Sequence, residues 1–282
     1  MKILLIRLSS IGDCVLASPV LEAVRERYPD AHITWAVQEK SAPVVRGLPG
    51  LSEVLLWRPR RGSYWRSLLS TLWRVRREHF DVAVDLQGID KAGVVSLASG
   101  AKRRISGTSA RRMARWGSNE RVPESEGLHA RLFHLQRAAP LGIAPDAAER
   151  FFPRVPVTAE HRYFAAQFLR EAGVENGHRL IGLNLGASGA AKRWPAPRFA
   201  QLARRLLQTE PHTRVAVFGA PADRFLWQEF LEELERGSTP SLARILNGVG
   251  HLDLLQMAAV AEHCSAFVTA DSGPMHIAAA VG

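Results

Sequence analysis

The sequence predicts an α/β protein made of two parallel sheets, each covered by helices. Three observations predict it. Short apolar runs alternate with longer stretches of helical periodicity along the whole chain, which is the pattern of strand–crossover–strand units. The short runs are apolar almost throughout, as strands buried on both faces must be. Polar loops rich in Gly, Ser and Asp follow several of these runs, and such sheets bind their ligands beyond the carboxyl ends of the strands. The length, 282 residues, suits two ordinary domains.

Lys2–Leu8 (KILLIRL) reads as a buried strand, SSIGD (9–13) as a tight loop and residues 14–29 as a helix ending near Pro29. HITWAV (32–37) and EVLLW (53–57) are two further strands. Between Ser63 and His79 the apolar residues Trp65, Leu68, Leu69, Leu72 and Trp73 recur at helical spacing, with Arg66, Arg74 and Arg77 opposite. This is read as an amphipathic helix packed on the sheet, with a membrane-surface role for its arginines as the secondary reading. DVAVDLQG (Asp81–Gly88) is a strand that ends in a polar loop, followed by a helix from about Lys91 and a short strand in AKRRISG (101–107). The stretch from Thr108 is rich in Arg and turn formers and reads as a surface loop with one short helical piece; helix resumes at about His129. FFPRVPVTAEH (151–161), with Pro153 and Pro156, reads as a linker, so the expected domains are 1–155 and 156–282.

The second half repeats the grammar. A helix over Ala159–Ala172 precedes the strand RLIGLNLG (179–186) and the glycine-bearing loop GASGAAKRWP (186–195). Then come a helix (196–208), a strand (214–220), a helix (223–237), a short strand (243–248), a helix (252–264) and a last strand in AFVTADSG (266–273). Five polar loops, SSIGD, DLQG, GASGAAKRWP, FGAPAD and ADSGPMH, lie at strand ends, and all five can face one cleft between the domains.

Composition narrows the class. The apolar fraction, 46%, is that of a globular protein, and no run is long and apolar enough to span a membrane. The N-terminus resembles a signal peptide for only a few residues before Arg7 and Asp13 break it, so it reads as the first strand of a cytoplasmic protein. Cys14 and Cys264 are lone cysteines without metal or disulfide spacing. The net charge of +10 is uneven: residues 1–155 hold 25 Lys and Arg against 15 Asp and Glu, whereas residues 156–282 hold 12 of each. The N-terminal half is therefore expected to meet a polyanion: a phosphorylated acceptor, an anionic membrane surface or nucleic acid. A general bias toward Arg explains why Lys numbers only five, but it does not explain the asymmetry.

The densest polar cluster follows the last strand. SAFVTA (265–270) reads as a buried parallel strand that stops at Asp271; Ser272, Gly273, Pro274 and a small-residue helix follow. Pro274 fits a helix's first turn, and Ser272 or Asp271 can cap it. The free amides and positive dipole end suit an anion such as phosphate, and His276 falls on the same mouth. A capped turn without ligand explains Ser and Pro, but not Asp, Ser and His together. Asp13 is read either as the N-cap of the first helix or as a general base. Lys192, after a glycine-bearing loop, offers a point charge to phosphate; the alternative is a solvated surface lysine.

Other chemistries lack their patterns. GASGAAKRWP is not a full P-loop, no G-x-G-x-x-G opens the first sheet and no G-x-S-x-G elbow is present. No D-x-D and no metal-spaced His, Cys or carboxylate cluster occurs, so no metal or other cofactor is expected. No recognisable nucleic-acid motif is present.

Together, RLSSIGDCVLASPVLEAVRERYP, DVAVDLQG, GASGAAKRWP, FGAP-D and ADSGPMHIAAA resemble glycosyltransferase family 9, the ADP-heptose:lipopolysaccharide heptosyltransferases, from Met1 to Gly282. The resemblance implies the GT-B fold, two Rossmann-like domains whose parallel sheets face a central cleft. The first domain would bind the acceptor and the second the nucleotide sugar. It implies inverting, metal-independent transfer of a heptose or related sugar from ADP-heptose to the lipopolysaccharide inner core. The acceptor would be a phosphorylated, lipid-linked oligosaccharide, and the enzyme would be cytoplasmic and peripheral to the inner face of the inner membrane. By position, Asp13 matches the catalytic base. Lys192, Asp271, Ser272, Gly273 and His276 match the donor site, and Asp223 matches a carboxylate near the nucleotide ribose. Ser10, Gly12, Arg111 and Arg112 match the acceptor side. The family pattern continues past position 282 with a strand, a phosphate-proximal loop and a helix, so the second domain is expected to be incomplete here. The alternative function is a nucleotide- or polyanion-binding module without catalysis.

Overall fold

The computed structural model describes residues 1–58, 64–125, 127–144, 146–236 and 242–282, without the side chains of Tyr64 and Trp65. Ser63 and the Trp65 side chain, both part of the amphipathic reading above, lie outside the described residues. The chain divides into two compact units, Met1–Pro156 and Val157–Gly282.

The first unit runs β1 (Lys2–Ile6), α1 (Ile11–Arg27), β2 (His32–Gln38), β3 (Glu53–Trp57), α2 (Tyr64–Arg77) and β4 (Val82–Asp85). It continues through α3 (Asp90–Ser99), β5 (Arg103–Gly107), α4 (Arg112–Gly117), β6 (Glu120–Val122), α5 (Ala130–Ala138) and α6 (Ala147–Arg150). Its strands form one parallel sheet in the order β3-β2-β1-β4-β5-β6. The central strand explains the sequence: Ile3, Leu4, Leu5 and Ile6 are wholly buried, because helices cover both faces. The chain winds outward from β1 to β3, then returns to place β4 against β1. The loops after β1 and β4 therefore flank the switch point, where such sheets bind ligands.

Local chemistry accounts for the helices. Pro19 lies inside α1 and cannot donate to the carbonyl of Val15. The Ser18 hydroxyl donates to that carbonyl instead, at 2.7 Å, and accepts the Arg154 amide at 2.8 Å. In α2, Thr71 and Val75 are buried and Leu68 and Leu72 pack on the core. Leu69 and Trp73, read from the sequence as part of that packing face, are 63% and 59% exposed. The apolar stripe of α2 is wider than the sheet can cover. Within the stretch from Thr108, the sequence reading found the short helix but not β6, whose three residues include Glu120 and Arg121 and offer no apolar run.

The second unit runs α7 (Ala159–Glu171), β7 (Arg179–Asn184), α8 (Ala196–Thr209), β8 (Thr213–Phe218), α9 (Arg224–Glu235), β9 (Ile245–Asn247), α10 (Leu254–Ala261), β10 (Cys264–Thr269) and α11 (Gly273–Val281). Its parallel sheet has the order β10-β7-β8-β9. Val215, Val217, Phe199, Phe230 and Leu234 form its core between sheet and helices. The buried reading of SAFVTA needs correction: among the described residues β10 pairs only with β7, and Ser265 and Ala266 are exposed. Among the described residues no helix is long and apolar enough to cross a membrane.

One helix crossing positions the start of α4. A Cβ on Gly93 would lie 2.3 Å from the Ala114 Cα, and one on Gly117 would lie 2.2 Å from the Gly93 carbonyl oxygen. The backbones of α3 and α4 thus touch directly. Gly93→Ala is expected to destabilise the first unit by about 2–3 kcal/mol, despite the roughly 1 kcal/mol that Ala gains over Gly in a helix. Gly189→Ala, where an added methyl meets nothing within 4 Å, should be neutral, both variants being read by thermal denaturation.

Candidate active site

In the first unit, the chain leaves β1 at Arg7 and enters α1 at Ile11, with Ser10 as N-cap. Asp13 stands three residues into that turn and is not itself the N-cap; its carboxylate reaches back to the cap. The Ser10 amide and hydroxyl donate to Asp13 Oδ2 at 3.1 and 2.8 Å, and Arg7 Nη2 lies 2.7 Å from the same oxygen. Three donors therefore hold Oδ2, and among the described residues none bonds Oδ1. The Asp13 side chain is 38% exposed while that of Arg7 is 10% exposed. Burial pushes the Asp13 carboxyl up, but the Arg7 charge and the Ser10 hydrogen bonds outweigh it and hold the group below its usual range. Gly12 is buried and the Ser10 side chain is exposed.

The loop after β4 fixes this turn from the side. Gln87 accepts the Leu8 amide at 3.0 Å and donates to the Ser9 carbonyl at 3.0 Å. Asp85 Oδ1 accepts the amides of Gln87 and Gly88, both at 2.8 Å. Arg7 Nη1 donates to the Leu86 carbonyl at 3.1 Å. Gly88 has φ +71°, and a Cβ there would lie 3.0 Å from the Arg137 guanidinium, so this turn requires glycine. Arg137 and Glu124 form a buried pair with side chains 3% and 4% exposed. His134, also buried, feels the Arg137 charge; the Leu86 carbonyl lies near its ring, but among the described residues neither ring nitrogen makes a hydrogen bond of good geometry. Burial, with the Arg7 and Arg137 charges, pushes its pKa down to about 3. Burial likewise pushes the Asp85 carboxyl up, against the two amides and the same arginines. Sequence reasoning missed Arg7, Asp85, Gln87, His134, Glu124 and Arg137 as members of one cluster. Only a lone arginine ending an apolar strand signalled it.

Arg111 and Arg112 open α4 at the same edge. The Arg111 amide donates to the Gly88 carbonyl at 2.8 Å, and Asp90 Oδ1 accepts the Met113 amide at 2.9 Å. The Arg112 guanidinium lies 5.7 Å from the centre of the Trp116 ring.

In the second unit, Asn184 at the end of β7 donates to the Gly186 carbonyl and to Thr269 Oγ1, at 2.8 and 3.1 Å. That ties the GASGAAKRWP loop to the end of β10. Lys192 Nζ meets Asp271 Oδ2 at 3.0 Å, and His276 Nε2 lies 3.9 Å from Asp271 Oδ1. Ser272 is the N-cap of α11, but its hydroxyl donates to the Ala270 carbonyl at 3.2 Å and leaves the helix amides to other acceptors. Pro274 stands in the first turn, as the sequence implied. Lys192, Asp271, Ser272, Gly273 and His276 therefore share one mouth. The Lys192 and Asp271 side chains are 55% and 69% exposed, so their pairing is weak and an anion can displace it. Asp223 sits on the other side of β7. Its carboxylate accepts the Ala220 amide at 2.9 Å and packs on Gly186, where a Cβ would lie 2.3 Å away. Among the described residues no three His, Cys, Asp or Glu side chains gather as a metal site.

The model of glycosyltransferase family 9 (heptosyltransferase) matches residues 68–282. The chain belongs to glycosyltransferase family 9. It is thus an enzyme, and it shares the GT-B fold class of its family 9 neighbours. It is 28% identical over 291 residues to lipopolysaccharide heptosyltransferase 2 of Escherichia coli K12, covering all of this chain and 80% of that protein. The family 9 glycosyltransferase structure from Veillonella parvula superposes with a TM-score of 0.83 at 25% identity, covering 100% of this chain and 78% of that one. The E. coli ADP-heptose lps heptosyltransferase II structure gives 0.79 at 25%, covering 100% and 82%.

Two titrations test the electrostatics of this family 9 site. Arg7→Met removes the main charge that depresses Asp13 and leaves its burial in place. The Asp13 carboxyl is therefore expected to titrate at higher pH in the variant than in the wild type, read by carboxyl-carbon NMR. His134 stays neutral in the fold while the unfolded chain protonates it below about pH 6.5. The unfolded state therefore binds the extra proton between pH 6.5 and 3, and this residue's contribution to stability falls as pH falls. Relative to the wild type, His134→Leu should gain about 2 kcal/mol on going from pH 7.5 to pH 5, measured by urea denaturation at both values.

Proposed function

We propose that this glycosyltransferase moves a heptose, or a closely related sugar, from ADP-heptose to the lipopolysaccharide inner core, inverting the anomeric centre without a metal. The observation that carries the reading is the asymmetry of Asp13: one oxygen is held by Arg7 and Ser10, and the other, at the switch point of the sheet, has no partner among the described residues. The names of its relatives, a lipopolysaccharide heptosyltransferase and an ADP-heptose lps heptosyltransferase, support the choice of donor and acceptor.

Asp13 is the general base. It is ionised well below neutral pH and takes the proton only as the acceptor hydroxyl becomes acidic in the transition state. That hydroxyl oxygen attacks the anomeric carbon, its proton passes to Oδ1, and the carbon–oxygen bond to the diphosphate breaks. The electron pair of that bond leaves with ADP. A single displacement from the opposite face inverts the centre. Lys192, the N-terminus of α11 and His276 meet the charge that grows on the leaving diphosphate. Asp271, released from Lys192, and Asp223, beside the same loop, serve the nucleoside end of the donor. Ser10, Gly12, Arg111 and Arg112 line the acceptor side, where the basic excess of the first unit meets a phosphorylated, lipid-linked saccharide. The enzyme works at the cytoplasmic face of the inner membrane.

Asp13→Asn is expected to lower kcat by about 10²–10⁴-fold with ADP-heptose binding, followed by calorimetry, little changed. Retention of a tenth of the wild-type kcat would remove Asp13 from the role of base. Lys192→Ala should weaken ADP-heptose binding about ten- to a hundredfold. Transfer should be the same with and without EDTA; a loss restored by a divalent cation would overturn the metal-free reading.

A further inference from the structure

The outward side of α2 has no task in the mechanism above. The helix carries Arg66, Arg74, Arg76 and Arg77 and no acidic residue. Its inner side is satisfied by Leu68, Thr71, Leu72 and Val75. Leu69 and Trp73, one turn apart, are nonetheless largely exposed, and Arg77 lies over the Trp73 ring at 4.3 Å from its centre. Beside them is a pocket of about 360 Å³ whose lining includes Arg58, Arg66 and Arg74 with Ser67 and Ser70. Arg58 is shared with Glu39 at 2.9 Å. Among the described residues Arg66 and Arg74 pair with no carboxylate. Three guanidinium groups around one pocket repel each other, and an anion placed among them removes that repulsion.

We propose that this side of α2 docks the enzyme on an anionic bilayer. Arg58, Arg66 and Arg74 receive the phosphate of a phospholipid headgroup, and Leu69 and Trp73 rest at the headgroup–acyl boundary. The pattern suits that occupant on both counts. Tryptophan with an adjacent aliphatic side chain favours the membrane interface, and clustered arginines attract an anionic surface within a Debye length. A soluble anion would use the pocket and leave Leu69 and Trp73 in water. The inference deepens the reading above, because it supplies the membrane contact that a lipid-linked acceptor requires.

The test is flotation of the full chain with vesicles of phosphatidylethanolamine and phosphatidylglycerol, and with phosphatidylcholine alone, in the absence of donor. The wild type is expected to float with the anionic vesicles and not with phosphatidylcholine. Arg66→Ala and Arg74→Ala should each weaken binding about fivefold. Leu69→Ser with Trp73→Ser should weaken it several-fold even at high salt, where charge is screened. Heptose transfer to a deacylated, water-soluble acceptor should stay at the wild-type rate in all these variants, which also shows that they fold. Vesicle binding unchanged in the variants would overturn the proposal. So would transfer to the deacylated acceptor lost in step with vesicle binding, since the arginines would then serve the saccharide. Vesicle binding is read without turnover, so it can stand or fall separately from the assignment of Asp13.

Discussion

Parallel strand pairing is the constraint on which both units depend. It sends every strand in a sheet the same way, so every strand's last residue reaches one edge, and each connection must return over a face. The edge collects turns and helix N-termini, while the faces collect apolar helices. In the first unit this brings the turn after β1 beside the turn after β4, although 79 positions separate Leu8 from Gln87. In the second it brings Lys192 to Asp271 across an equal interval. The residues proposed for the site need no special folding device; they stand in the loops and first helical turns that follow parallel strands.

What the first unit adds is a buried polar layer under that edge. Arg7, Asp85, His134, Arg137 and Glu124 are all withdrawn from water to differing degrees. Several of their atoms, including Asp85 Oδ2 and Arg137 Nη1, have no hydrogen-bond partner among the described residues. Such layers seldom stabilise a protein more than apolar packing of the same volume would, although removing a single partner is severe. The return is positional: Arg7 is held at the Leu86 carbonyl and so can hold Asp13 by one oxygen and leave the other open.

Much of the fold was legible because burial on both faces leaves short apolar runs that stand out between helical stretches. KILLIRL and DVAVDLQG are strands for that reason. The limits have equally physical causes. β6 carries two charges in three residues, and β10 pairs on one side only, so neither follows the rule for a fully covered strand. Leu69 and Trp73 repeat at helical spacing, but periodicity cannot say how much of a stripe a sheet will cover. The residues proposed for the site could be singled out one at a time, through capping and loop chemistry and through the resemblance of the loops as a set. Their partners were not. Arg7 reads only as a charge that interrupts an apolar run, and Gln87 only as a polar loop residue, because what each does is decided by neighbours far away in sequence.

The contact between Gly93 and Gly117 has an evolutionary consequence. Two helices whose backbones touch have no side chains between them to be trimmed or enlarged, so small substitutions cannot slide one along the other. α4 is in effect a fixed rail. The arginines at its start can be exchanged for other side chains without moving the rail. A descendant of this enzyme could replace the side chains of this proposed acceptor edge in place, while the spacing between α4 and the turn that holds Asp13 is inherited intact.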